Sequence, residues 1–200
     1  MEFTPMKNKY GNVWTIVTLS LFGLLILIMG VRLYQVGALN KGGRVLPFYG
    51  AVPDFKLTER SGKPLTNQDL KGKVWIADVI FTRCAGQCPM MSLKMKELNQ
   101  KLPKASFASF TTDPDYDTPQ VLSTYANWYE ADSKRWLFLT GTKEMLNAVM
   151  AGFKMGRVDD PAMHSDRFVL VDKTGQIRGF YDANDNVSIE KLMKDIRVLN

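Results

Sequence analysis

The side chains best suited to chemistry in this sequence are two cysteines and one histidine. Cys84 and Cys88 are the only cysteines, in the stretch FTRCAGQCPMM, and His164 is the only histidine. Two thiols four positions apart can form a structural disulfide, act as a redox pair or bind one metal ion. A structural disulfide here would close a very short loop and stabilise the fold little, so redox chemistry and metal binding are the stronger hypotheses.

The neighbouring sequence predicts where the two thiols lie. Cys84 directly follows KVWIADVIFT (73–82), whose apolar and β-branched residues are typical of a buried central strand. The segment after Cys88 has helical periodicity, and Pro89 suits its first turn. Because a helix N-terminus stabilises a thiolate, we expect both sulfurs to be more ionised than a free cysteine.

Strands and helices alternate along the rest of the chain. We predict strands at 106–112 and 135–140, a hairpin over 167–182 about the turn DKTG, and helices at 117–129, 142–153 and 188–199. The predicted N-caps are Thr118 or Asp117, Thr142, and Ser188. This order predicts an α/β domain with a central mixed sheet flanked by helices, whose ligands gather at the carboxyl ends of the strands.

His164 lies in DDPAMHSDRFVLVD, in a predicted loop just before a strand. A lone histidine is often a surface or satisfied core residue. In a thioredoxin-like fold, however, this loop faces the turn that carries the cysteines. Two thiolates and one imidazole suit copper, especially Cu(I), whereas structural zinc prefers four ligands.

Other polar and sulfur side chains near these residues have two interpretations each. Met90, Met91 and Met163 fill core gaps or add thioether ligands, and packing is the more frequent role of methionine. The aspartates of the segment after the second predicted strand form turns and caps, or hold His164 through a hydrogen bond. They are Asp113, Asp115 and Asp117.

Three segments of the chain resemble the matching segments of the Sco/SenC family. They are FTRCAGQCPMM, TTDPDYDTPQVLSTYA and MHSDRFVLVDKTGQIRGFYD, and the resemblance covers residues 48–198. The family consists of membrane-anchored, thioredoxin-fold copper proteins that serve cytochrome c oxidase assembly. The resemblance implies that Cys84, Cys88 and His164 bind copper as Cu(I), Cu(II) or both.

The resemblance also implies partners. Copper would be delivered to the dinuclear CuA centre of oxidase subunit II, or the cysteines of that centre would be reduced before loading. Other copper chaperones would supply copper to the chain, or a thiol reductant would keep its cysteines reduced. Two departures stand out: the spacer Ala85-Gly86-Gln87 lacks the acidic residue of many members, and Met163-His164-Ser165 stands where many thioredoxin-like enzymes have a cis-proline.

A membrane anchor is predicted near the N-terminus. Residues 11–31 contain no charged side chain, and a run of this length spans a bilayer as a helix. A cleaved signal peptide is the alternative, but its apolar region would be shorter and followed by a cleavage site. We predict a short cytoplasmic leader (1–10), a transmembrane anchor (11–33), a linker (34–47) and a thioredoxin-like domain (48–200), in a bacterial inner membrane with the domain in the periplasm.

The composition argues against a disordered chain and against a nucleic-acid-binding protein. Apolar residues make up 46% and charged residues 23% of the chain, which is typical of a folded domain. The net charge of +6 is scattered without a Lys/Arg run, so we expect no nucleic-acid binding.

Three functional hypotheses follow. The first is a membrane-anchored copper-binding assembly factor, a metallochaperone rather than an enzyme. The second is a thiol–disulfide reductase of exported proteins that uses Cys84 and Cys88 and does not need His164. The third and weakest is a redox or copper sensor.

Overall fold

The computed structural model describes residues 11–39, 45–132, 134–155, 158 and 166–200, with side chains of the first helix described for 14–33. The chain forms two compact units, Met1–Val45 and Leu46–Asn200. His164 and Met163 lie outside the described residues, so the predictions that concern them stay predictions.

Nearly all of the first unit that the structure describes is a long apolar helix, α1 (Gly11–Leu39). Its stretch Trp14–Leu33 has a mean hydropathy of 2.4 over 20 residues, and none of it is buried against the protein. Its length and composition therefore allow this stretch to cross a membrane. The helix continues beyond residue 33 into the segment predicted as a linker.

The second unit is an α/β domain. Its strands are β1 (Lys56–Glu59), β2 (Pro64–Thr66), β3 (Trp75–Ile80), β4 (Ser106–Thr111), β5 (Trp136–Thr140), β6 (Arg167–Val171) and β7 (Ile177–Asp182). Its helices are α2 (Gln87–Lys101), α3 (Pro119–Trp128), α4 (Lys143–Gly152) and α5 (Asn186–Leu199). The predicted alternation of strands and helices is confirmed.

In the part of the chain that the structure describes, seven strands form one mixed sheet in the order β2-β1-β5-β4-β3-β6-β7. The central strand β3 runs parallel to β4, and β4 runs parallel to β5. The remaining neighbours, including β3 with β6, are antiparallel. The mixed sheet predicted from the sequence is therefore confirmed.

Helices cover both faces of this sheet, and every residue of β3 is buried. One face packs against α2, α3 and α5, through side chains such as Met95, Leu122 and Leu192. The other face packs against α4 and the segment before β1, through Val149 and Phe55. Burial on both faces explains why β3 is almost continuously apolar.

Two local features differ from the prediction. The hairpin of β1 and β2 was not predicted; its turn includes Gly62, whose φ of +81° favours glycine. The N-cap of α5 is Asp185 rather than Ser188, because the Asp185 carboxylate accepts from the first N–H groups of the helix. The predicted caps Thr118 and Thr142 are confirmed.

Candidate metal centre

The two cysteines lie where the central strand passes into α2. After β3 ends at Ile80, the backbone N–H of Cys84 donates to the carbonyl of Phe81 at 3.1 Å, which forms a tight turn. Helix α2 begins at Gln87, so Cys88 lies in its first turn. Both cysteines are free thiols, and they stand at the carboxyl edge of the parallel strands, as predicted.

The two thiols have different environments. Cys84 is partly exposed, whereas Cys88 is only 4% exposed and belongs to the buried face of α2. Burial disfavours the thiolate of Cys84, but hydrogen bonds from the backbone around Cys88, Gly86 and Gln87 outweigh it and lower the pKa of Cys84. The prediction of an easily ionised thiol is therefore confirmed for Cys84.

For Cys88 that prediction is wrong. Burial raises the pKa of the Cys88 thiol to about 12, and the neighbouring groups Cys84 and Asp78 add to the rise. The stabilising effect of the helix N-terminus is smaller than the cost of placing a charge in the core. In the metal-free protein Cys88 is thus a buried thiol, and Cys84 is the more nucleophilic sulfur.

A buried carboxyl group lies on the strand that leads to the cysteines. Asp78, in the middle of β3, is 0% exposed, and neither carboxyl oxygen makes a hydrogen bond of good geometry with the described residues, although the Ser109 hydroxyl lies beside it. Burial raises the pKa of Asp78 to about 7, and the Ser109 hydroxyl beside it offsets part of that rise. A carboxyl group in this environment is uncharged at slightly acidic pH.

The turn that carries Cys84 is fixed by a second buried aspartate. The Asp117 carboxylate accepts hydrogen bonds from the backbone N–H of Thr82 at 3.2 Å and from its hydroxyl at 2.5 Å. It also accepts from the hydroxyl of Thr111 at the end of β4. Asp117 therefore joins the cysteine turn to the adjacent strand, a role that the sequence did not indicate.

The other two aspartates of this segment form ion pairs at the surface. Asp113 accepts from Nη2 and Nε of Arg83 at 2.5 and 3.1 Å, and Asp115 pairs with Lys143 at 2.6 Å. The Arg83 guanidinium also lies 4.3 Å from the ring centroid of Tyr116. Arg83, next to Cys84, is thus held over the rim of the site rather than free in solvent.

The described methionines near the site have separate roles. Met91 is 2% exposed and fills the core under α2, which confirms the packing interpretation for this residue. Met90 is 63% exposed beside Cys88. A groove of about 220 Å³ begins at Thr82 and Arg83 and runs along α3 as far as Trp128.

The segment that contains His164 is bracketed by two described residues. Before it, the N–H of Val158 donates to the side chain of Asn147 on α4 at 2.8 Å. After it, Asp166 leads into β6, which pairs antiparallel with β3 and therefore begins at the edge where β3 ends. The described residues by themselves contain no cluster of three or more His, Cys, Asp or Glu that could hold a metal.

The fold and the cysteine pair define a thioredoxin-like protein with a dithiol at the carboxyl edge of its sheet. The model of the SCO1/SenC family matches residues 49–199, and the chain belongs to that family.

Individual relatives agree with this assignment. The chain is 30% identical over 161 residues to the SCO1 protein homolog of Bacillus subtilis, a match that covers 76% of this chain and 83% of the homolog. The structure of BsSco, described as a member of the Sco family of cytochrome c oxidase assembly proteins with a disulfide switch, is 29% identical. It superposes with a TM-score of 0.68, over 78% of this chain and 96% of BsSco.

A more distant structure extends the likeness of fold. Arabidopsis thaliana ScoI, solved with copper bound, shares 23% identity and a TM-score of 0.62. The match covers 74% of this chain and 98% of the plant protein.

Proposed function

We propose that the chain is a membrane-anchored copper-binding factor for the assembly of cytochrome c oxidase. Copper is its cargo, and the ligands are the thiolates of Cys84 and Cys88 and the imidazole of His164. The observation that carries the proposal is the pair of free thiols four residues apart, in the turn before α2 and in its first turn, at the carboxyl edge of a thioredoxin-like sheet in a chain of the SCO1/SenC family.

The donor set suits copper and its transfer. Thiolates are soft ligands that favour Cu(I), and an imidazole completes a three-coordinate site that leaves one side open to an incoming ligand. Binding replaces the two thiol protons with one metal ion, so affinity depends on pH and on reduced thiols. Oxidation of the pair to a disulfide removes both sulfur ligands and releases the metal.

The described strand that follows His164 in the chain supports the proposed role of this residue. Because β6 begins beside the end of β3, Asp166, which directly precedes β6, lies at the cysteine edge of the sheet. Only Ser165 separates His164 from Asp166, the first described residue after the gap. This proximity along the chain supports His164 as the third ligand.

The recipient in this proposal is the CuA domain of oxidase subunit II, with other copper chaperones or a thiol reductant as donors. α1 anchors the chain as a single span of a bacterial inner membrane, and the domain lies in the periplasm. The exposed rim beside the cysteines, with Tyr116 and Trp128 along its groove, offers apolar contact area to a partner.

The first test is a titration of the full chain with Cu(I) in detergent, with its thiols reduced and a competing chelator present. We expect tight one-to-one binding that is lost in Cys84→Ser and Cys88→Ser and clearly weakened in His164→Ala. Met90→Leu is the matched control, since it changes an exposed sulfur next to Cys88. Equal, weak binding by the wild type and His164→Ala contradicts the proposed site.

A thiol–disulfide reductase is the second candidate, and the unequal exposure of the two thiols favours it. The accessible Cys84 thiolate attacks a partner disulfide, which forms a mixed disulfide and releases one partner thiol. Cys88 then attacks the Cys84 sulfur of the mixed disulfide, which forms the Cys84–Cys88 disulfide and releases the second partner thiol. The pair is oxidised to a disulfide while the partner gains two thiols, so electrons and protons balance. Full reductase activity in His164→Ala, together with no copper binding by the wild type, would favour this candidate.

A further inference from the structure

Six basic side chains gather at the end of the domain that lies away from the cysteines. All six are exposed, and we call them the basic end: Lys71, Lys73, Lys101, Lys104, Lys173 and Arg197. Lys71 and Lys73 precede β3, Lys101 ends α2 and Lys104 precedes β4. Lys173 lies in the β6–β7 turn and Arg197 in the last turn of α5. The fold therefore brings six cations that are scattered along the sequence to one end of the domain.

Contacts among the connecting segments bring these residues together. The N–H of Gly72 donates to the carbonyl of Lys173 at 2.8 Å, and Lys173 Nζ donates to the carbonyl of Asn200 at 3.0 Å. Lys101, Lys104 and Arg197 line one groove of about 330 Å³ between the ends of α2 and α5. The apolar floor of that groove includes Leu102, Pro103 and Ile196.

The carboxylates beside this surface are fewer than its six cations: they include Asp69 near Lys73 and Glu97 near Lys101, while Asp172 pairs with Arg178. Among the described residues, Lys71, Lys104 and Arg197 take part in no ion pair, and Lys101 approaches Glu97 only at 4.0 Å. The cysteine end has the opposite balance. Its described carboxylates outnumber its cations: Asp113, Asp115, Asp117, Asp166, Asp182 and Asp185 against Arg83, Lys143 and Arg167.

Helix α2 gives the separation between the two ends. Cys88 lies in its first turn and Lys101 is its last residue. With a rise of 1.5 Å per residue, thirteen steps of helix place them about 20 Å apart. A surface bound at the basic end therefore leaves the cysteine turn about 20 Å away from it.

The chain keeps the domain close to any membrane that α1 spans. Seven residue steps separate Leu39 from Leu46, the first residue of the domain. Fully extended, they reach about 25 Å. Such a short tether holds the domain at a high effective concentration beside the lipid surface, so even a weak electrostatic contact is populated.

We propose that the basic end binds the anionic headgroups of the phospholipid bilayer and so directs Cys84 and Cys88 away from it. This inference rests on the proposed membrane anchoring. The occupant is a lipid surface because the charge is positive, spread over several exposed lysines, and tethered within reach of the bilayer. Each basic residue at an anionic surface strengthens binding about five-fold, and salt weakens the contact.

The test uses the full chain in nanodiscs of phosphatidylcholine, with or without phosphatidylglycerol. An amine-acylating reagent is applied, and the modification of each lysine is measured by mass spectrometry. We expect Lys71 and Lys173 to react several-fold more slowly in the anionic discs at low salt, with high salt restoring their reactivity. Lys56 and Lys143, exposed at the starts of β1 and α4 on the cysteine side of the sheet, are expected to react equally in both discs.

The double variant K101Q/K104Q supplies the decisive comparison. Removing two charges should weaken the contact about twenty-five-fold and abolish the protection of Lys71 and Lys173. The control K56Q/K143Q, which removes two exposed lysines on the cysteine side of the sheet, should retain it. Equal lysine reactivity in the two kinds of disc overturns the inference, and so does protection that appears only when an acidic protein is added.

The readouts separate this inference from the proposed function. If the chain co-elutes with neither kind of nanodisc, the proposed anchor fails, and so does the lipid contact that rests on it. If it inserts and binds Cu(I) but its basic end is never protected, only the lipid contact fails. If the basic end is protected and Cu(I) does not bind, the copper proposal fails and the lipid contact stands.

Discussion

Replacing Asp78 by asparagine should stabilise the domain at alkaline pH and leave its stability almost unchanged at acidic pH. Asp78 is fully buried in β3 without a hydrogen bond of good geometry to the described residues, and burial raises its pKa to about 7 despite the nearby Ser109 hydroxyl. Asparagine has nearly the same shape as the protonated carboxyl group and carries no charge at any pH. The substitution therefore removes the cost of ionisation.

The magnitude follows from the difference in proton binding between the folded and unfolded states. The unfolded carboxyl group has a pKa near 3.8, so between pH 4 and 7 it is ionised while the folded one keeps its proton. The free energy of unfolding of the wild type should therefore fall as pH rises through this interval and level off above it. About three pKa units correspond to a loss of about 4 kcal/mol at most.

The assay is urea unfolding of the reduced, metal-free full chain in detergent at several pH values, followed by the fluorescence of the buried Trp75 and Trp136. Asp78→Asn should lose most of the decline between pH 4 and 7 that the wild type shows. Asp115→Asn, a change in an exposed carboxylate, should keep the wild-type profile. Parallel profiles for the wild type and Asp78→Asn would refute the assignment of a raised pKa to Asp78.

Two further predictions concern the same site. Asp117→Ala removes the acceptor of three hydrogen bonds at the cysteine turn, so it should lower the free energy of unfolding by about 3 kcal/mol. In the same denaturation experiment, the control Asp115→Ala should lower the free energy of unfolding by less than about 0.5 kcal/mol. Iodoacetamide at neutral pH should alkylate Cys84 at least about ten times faster than Cys88, because only Cys84 combines exposure with a lowered pKa. Peptide mass spectrometry measures both rates, and equal rates would contradict the difference between the thiols.

The elements that position the site could be predicted because their signals are local. The apolar run of β3 indicates a strand buried on both faces, and Thr118 and Thr142 each precede a helix that they cap. The hairpin of β1 and β2 was missed because its strands have only four and three residues, too few to show a clear alternation.

The energetics of the site could not be predicted, because they depend on contacts between distant parts of the chain. Thr82 and Asp117 are 35 positions apart, and their hydrogen bonds exist only once β3 and β4 pair. The raised pKa of Cys88 depends on the depth of its burial, which spacing alone does not give. Asp78 did leave a signal, as the single charged residue within an otherwise apolar strand.

The most direct test of the copper site is X-ray absorption spectroscopy at the copper edge, on the full chain loaded with one equivalent of Cu(I). The proposal predicts two sulfur scatterers and one nitrogen scatterer per copper, with the nitrogen lost in His164→Ala and one sulfur lost in either cysteine variant. A first shell without sulfur, or a shell that His164→Ala leaves unchanged, would contradict the assignment of Cys84, Cys88 and His164 as the ligands.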